Sequence, residues 1–134
     1  MSKLETVIVA SETMKKPGQN YEKLVTWFNI PSRPDFFAWV YKKQKYDIFG
    51  MLPNPFIYSD RDSLNKIVDA FNLDPQNTLC IVSKEEIQGK QCLFINKNLA
   101  NMKYISDLDS ILDYAEGQNY KALTVKGLFK NGKA

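Results

Sequence analysis

Three stretches of this chain repeat apolar residues at i, i+3, i+4, i+7, the spacing of one helical face, and short apolar runs separate them. Tyr21, Leu24, Val25 and Phe28 follow Asn20; Leu64, Ile67, Val68 and Phe71 follow Ser59 and Asp60; Leu108, Ile111, Leu112 and Ala115 follow Ser106 and stop at Gly117. Each reads as an amphipathic helix behind a polar N-cap, with one stripe to bury. Asp60, Asp62, Asp107 and Asp109 stand in or beside first turns, where a carboxylate favours the helix dipole. Capping explains these acids without a metal ion.

The runs between the stripes read as strands. "TVIVAS" (6–11) and "TLCIVS" (78–83) are rich in β-branched residues, and "QCLFIN" (91–96) follows a turn at Gly89, so 78–96 predicts a β-hairpin. "KALTVKGLF" (121–129) predicts a final strand. Phe36, Ala38 and Val40 alternate with Phe37, Trp39 and Tyr41, and "YKKQKY" suits a reversal into "YDIFGML"; Pro34 is also a possible helix start. The second-hairpin reading is preferred there. The expectation is an α+β domain over residues 1–129, with a flexible basic tail at 130–134. Its largely antiparallel sheet has about five to seven strands, and three helices cover mainly one face.

Composition limits the chemistry. The 134 residues contain no histidine, which removes imidazole bases and Ser-His-Asp or Cys-His arrangements. Two cysteines, Cys80 and Cys92, cannot supply a four-ligand zinc site, and no glycine-rich phosphate loop surrounds Gly89-Lys90. No metal and no cofactor is expected. If the hairpin turns near Glu86, the two cysteines sit roughly opposite one another; in a reducing cytosol they read as free, buried apolar residues. The apolar run "VIVA" is too short for a signal peptide, and no run reaches the length of a membrane span, so a cytoplasmic protein with no membrane partner is expected.

The most distinctive stretch is "TWFNIPSRPDFFAWVYKKQKYDIFG" (26–50), with eight of the 17 aromatic residues and four of the 18 basic ones. Trp27, Arg33, Phe37, Trp39, Tyr41, Lys42, Lys43 and Lys45 make it the candidate surface for a protein partner, since aromatic and arginine side chains dominate binding energy. The competing reading makes its aromatics a wall of the core. Charge is uneven as well: residues 1–50 carry eight basic against five acidic side chains, 51–117 six against ten, and 118–134 four lysines and no acid. A small-molecule pocket is the alternative, with Tyr46, Asp47, Tyr58 and Asp60 as candidates. Nucleic acid is a third possibility, weighed against by the acidic middle and by 16 lysines to only two arginines.

In order and spacing, "VIVAS", "QNYEKLVTWF", "YDIFGMLPNPFIYS" and "DPQNTLCIVSKEEIQGKQCLFIN" resemble the small phage S-adenosylmethionine lyases, over residues 6 to 96. Those anti-restriction proteins cleave a methyl donor intramolecularly, without a metal. The family's glutamate belongs to the strand region that here reads "FGMLPN", and no glutamate lies between Glu22 and Glu85. The resemblance therefore implies a phage-type accessory protein, oligomeric in some form and acting on host machinery, more than it implies lyase chemistry. The reading that emerges is a non-catalytic protein-binding module, an inhibitor or adaptor.

Overall fold

The computed structural model describes residues 3–11, 25–29, 46–53, 56–60, 62–86, 89–101 and 108–132. Over these residues the chain is α+β. In chain order the elements are β1 (Val7–Ser11), β2 (Val25–Asn29), β3 (Ile48–Leu52), β4 (Phe56–Tyr58), α1 (Ser63–Leu73), β5 (Thr78–Ser83), β6 (Leu93–Asn96), α2 (Leu108–Gly117), β7 (Lys121–Val125) and β8 (Phe129–Asn131). Six strands form one sheet in the order β2-β1-β3-β6-β5-β7, and β4 pairs with β8 in a second, two-stranded sheet.

The large sheet is mixed rather than largely antiparallel. β1 runs parallel to both β2 and β3, and β5 runs parallel to β7; only β6 is antiparallel to its neighbours β3 and β5. The 78–96 hairpin forms as the sequence predicts. Both edges of β3 are taken, by β1 and β6; residues 36–41, the other half of the second expected hairpin, lie outside the described residues.

Strand alternation sends side chains to two separate cores, one on each face. Phe49 and Met51 of β3, Cys80 and Val82 of β5, and Leu93 and Ile95 of β6 pack with Ile111 and Ala115 of α2. Ile48 and Leu52, Ile81, Phe94, and Val7 and Val9 of β1 pack with Leu64, Ile67 and Phe71 of α1 on the other face. The described helices thus cover opposite faces, which corrects the one-face expectation. Both faces of β3, β5 and β6 are covered, so these strands read as unbroken apolar runs. A register shift between Thr78 and Cys80 leaves Leu79 and Cys80 on the same face as Val82.

The first expected helix is overturned over its second half. Val25–Asn29 is a strand, β2, in parallel register with Val7–Ser11. Four apolar positions matched a helical face, but "VTWF" is β-branched and aromatic, and pairing with β1 supplies the backbone bonds. Asn20, Tyr21 and Leu24 lie outside the described residues. The helices at 63–73 and 108–117 form, but the N-cap of the first is Asp62, which makes no side-chain capping bond. Asp60 instead closes the turn before it, its carboxylate accepting the Asp62 N–H at 2.8 Å while the Ser63 hydroxyl accepts the Asp60 N–H at 3.3 Å. Ser106 and Asp107 lie outside the described residues. The expected last strand is two strands, broken at Gly127 (φ 81°), and β8 includes Lys130 and Asn131 of the expected tail.

Gly50 fixes how the central strands meet. It stands opposite Phe94 in the β3–β6 register, and a Cβ at position 50 would lie 2.3 Å from the Phe94 ring. That ring is fully buried and stacks on Phe129 at 5.9 Å, which in turn packs against Tyr58 at 5.5 Å. Any shift of the ring disturbs both contacts. Gly50→Ala is expected to destabilise by about 1–3 kcal/mol despite its gain in backbone entropy. Urea unfolding checks this, and a neutral or stabilised variant overturns the account. Phe94→Leu combined with Gly50→Ala should cost less than the sum of the single changes.

Candidate functional site

The polar groups that the fold draws inward act as joints between strands. Asp47, just before β3, accepts the Glu5 and Thr6 N–H groups at 2.9 and 3.2 Å, and its own N–H donates to the Thr6 hydroxyl at 3.0 Å. It ties the start of β1 to the start of β3. Asn72, near the end of α1, accepts the Leu4 N–H at 2.8 Å and donates to the Leu4 carbonyl at 2.9 Å, an amide clamp on the segment entering β1. The Ser83 hydroxyl accepts the Cys92 N–H and donates to the Glu85 carbonyl, each at 2.9 Å. Asn96, fully buried, donates to the carbonyls of Pro75 and Thr78 at 3.0 and 3.2 Å and accepts the Asn98 N–H at 3.0 Å. Each of these groups, buried at Ser83 and Asn96 and half-buried at Asp47 and Asn72, bonds backbone that lies outside the regular ladders. Asn72, Ser83 and Asn96 carried no sequence signal, because their partners are distant in the chain or lie in irregular backbone.

The four residues considered for a small-molecule pocket are not brought together. Tyr46 packs on the α2 side, 6.4 Å from Phe49 in an edge-on contact. Tyr58 is fully buried on the α1 side against Phe129. Asp47 is a strand joint and Asp60 closes the turn before α1. No group of three or more His, Cys, Asp or Glu residues with metal-binding geometry occurs among the described residues.

Of the residues proposed for a protein partner, Trp27 stands at the middle of β2 in register with Val9. Arg33, Phe37, Trp39, Tyr41, Lys42, Lys43 and Lys45 lie outside the described residues, in the sequence joining β2 to β3. These two strands flank β1 and both run parallel to it.

Two surface features remain. Lys121, the first residue of β7, holds the Asp74 carboxylate at 2.7 Å. That bond holds the Asp74 carboxyl below its usual range, and Asn77 adds to the effect. Glu85 accepts the Gly127 N–H at 3.2 Å with one oxygen, while its other oxygen is buried without a hydrogen bond. Among the described residues the exposed large apolar side chains are Leu73 and Leu112, on helices that cover opposite faces.

The cysteines are free and buried, and they face opposite sides of the sheet: Cys80 packs toward α2, Cys92 toward α1. They are therefore not the cross-strand neighbours expected, since Cys80 stands opposite Ile95. Burial pushes the Cys80 thiol from 9.0 up to about 12. The neutral thiol's contribution to stability is thus complete below pH 9 and disappears as the pH rises through about 12.

No family model, curated protein or solved structure matches the chain. No helix among the described residues is long and apolar enough to cross a membrane.

Two outcomes follow from these roles. Asp47→Ala should cost about 1.5–3 kcal/mol by releasing two strand-entry N–H groups, read as a lower urea midpoint; an unchanged midpoint would free Asp47 for another role. At pH 8 neither thiol should react with a thiol reagent in the folded protein, and both should react once it unfolds. Rapid labelling of either one in the native state contradicts this placement.

Proposed function

We propose that this is a non-catalytic protein-binding module, an inhibitor or adaptor of the phage-accessory kind, acting in the cytoplasm. The observation that carries the reading is the open end of the large sheet. β7 has one strand neighbour among the described residues, and its Ala122 and Thr124 are exposed. Open edges are where proteins add strands from other chains. At the opposite end of the strand order stands β2, which carries Trp27 and is joined to β3 by the sequence with Trp39 and the three lysines. Aromatic anchors with a basic rim suit an acidic protein surface. The use of Asp47, Asp60, Ser83 and Asn96 in strand joints and turns also supports binding over catalysis.

The test is capture of partners from a bacterial lysate by the tagged full chain, with and without nuclease, repeated with variants. A stoichiometric protein that survives nuclease is expected. Lys42, Lys43 and Lys45 changed together to glutamate should keep the melting temperature, since surface charges contribute little, and should lose most of the capture. Trp39→Ala should reduce affinity by about 2 kcal/mol or more while the protein stays folded. If Trp27→Ala and Trp39→Ala both unfold and the triple lysine variant captures normally, the stretch is a core wall and this surface assignment fails. A band lost on nuclease treatment would favour nucleic acid instead.

A further inference from the structure

Among the described residues the outer edge of β7 has no strand neighbour, and its own sequence can complete it. Lys121 donates its N–H to the Asn77 carbonyl at 2.6 Å, and the Val125 carbonyl accepts the Lys84 N–H at 2.8 Å. Alternation along a parallel ladder turns the backbone of Leu123 toward β5 as well. It turns the N–H and C=O of Ala122 and Thr124 to the open side. Edge strands are usually protected by a central lysine, a proline or a bulge. The centre of β7 is Ala-Leu-Thr, and its lysines, Lys121 and Lys126, stand at or just past its ends. The Lys121 ammonium is moreover held by Asp74 of the same molecule.

We propose that β7 is the interface of a two-fold homodimer, in which the strands of two copies pair antiparallel about Leu123 and join the two sheets into one. The inference uses the same β7 edge as the partner-binding reading and assigns it to a second copy, which leaves the β2 end for a foreign protein. The mass of the chain alone and the capture of a partner test the two separately. A closed two-fold can pair a strand with itself only antiparallel. With Leu123 on the axis, Ala122 of each copy meets Thr124 of the other. The outward N–H and C=O groups of both strands then become four backbone hydrogen bonds.

The side chains agree with this register. Leu123 packs on the α1-side core beside Ile81, its partner in the β5 register, so two copies of Leu123 extend that core across the axis. Ala122 and Thr124 are small enough to lie opposite each other on the other face. Lys121 falls opposite Val125, and Lys126 opposite Tyr120, so no like charges meet. A slip of one residue sets Lys121 against Lys126 and faces outward groups with inward ones. A foreign strand would find the same backbone groups, but only a second copy also satisfies this pattern of lysines and leucine.

Analytical ultracentrifugation of the full chain, from micromolar to submillimolar concentration, tests this. Wild type should shift from the 15.4 kDa monomer to twice that mass as concentration rises. Thr124→Pro removes only an outward N–H and is tolerated at a strand edge; it should remain monomeric with an unchanged circular dichroism spectrum. Ala122→Lys should do the same, and decides alone if the proline variant does not fold. Leu123→Cys should form a disulfide with its own copy under a mild copper oxidant, since facing non-bonded residues lie about 4.5 Å apart at Cα. Ala122→Cys should crosslink to Thr124→Cys in a mixture and not to itself. A wild type that stays monomeric throughout, or dimers unaffected by both edge variants, overturns the proposal. Self-crosslinking of Ala122→Cys in preference to Leu123→Cys overturns its register.

Discussion

The fold depends on one ring lying over one glycine. Phe94 crosses the place where residue 50 has no side chain, at the middle of the pair of strands that joins the two halves of the sheet. The ring reaches Phe129 of β8, which reaches Tyr58 of β4, so the same stack holds the two-stranded sheet against the six-stranded one. A larger residue at position 50 would push the ring outward and open both contacts. One glycine in an otherwise apolar strand thus sets the distance between layers on the whole α1 side.

Around that centre the polar groups follow one rule: each is fixed where the chain enters or leaves the sheet. Asp47 and Asn72 hold the approach to β1, Ser83 and Gln91 hold the turn from β5 into β6, and Asn96 holds the exit of β6 against the start of β5. Such joints make register costly to change, because a slip would leave buried N–H and C=O groups without partners. Among the described residues, the polar side chains at the middle of the sheet are thus taken up by its own backbone.

How much of this is legible in the sequence follows from the range of each interaction. The helices at 63–73 and 108–117 and the hairpin of β5 and β6 rest on local periodicity and near neighbours, and they form within a few residues of where the pattern puts them. β2 rests on pairing with β1, and its apolar positions satisfy a helical spacing equally well, so the pattern alone misleads. The placement of helices on opposite faces is hidden for a related reason: a strand buried on both sides loses the alternation that would reveal two cores. Cys80 and Cys92 illustrate the cost of a small error in register, which separates expected neighbours onto opposite faces. Of the candidate site, the place of Asp60 just before α1 is legible, though it closes a turn there instead of capping the helix. The joint at Asp47 is not legible, since its partners stand some 40 residues earlier.

The two ends of the sheet differ in a way that links assembly to binding. β7 is short, small at its centre and matched to itself; β2 leads into the aromatic and basic sequence. If β7 joins two copies, the resulting sheet runs from one β2 to the other, eleven strand spacings of about 4.8 Å, roughly 50 Å before twist is counted. Each end then carries its own β2, with Trp27 at its middle. Two such ends gain little from each other on a small monomeric partner. On a repetitive or dimeric partner the second contact becomes intramolecular, and a modest affinity at each end is multiplied through effective concentration. A chain of this size, with a modest basic excess and few arginines, can hold tightly by that route without a large interface at either end.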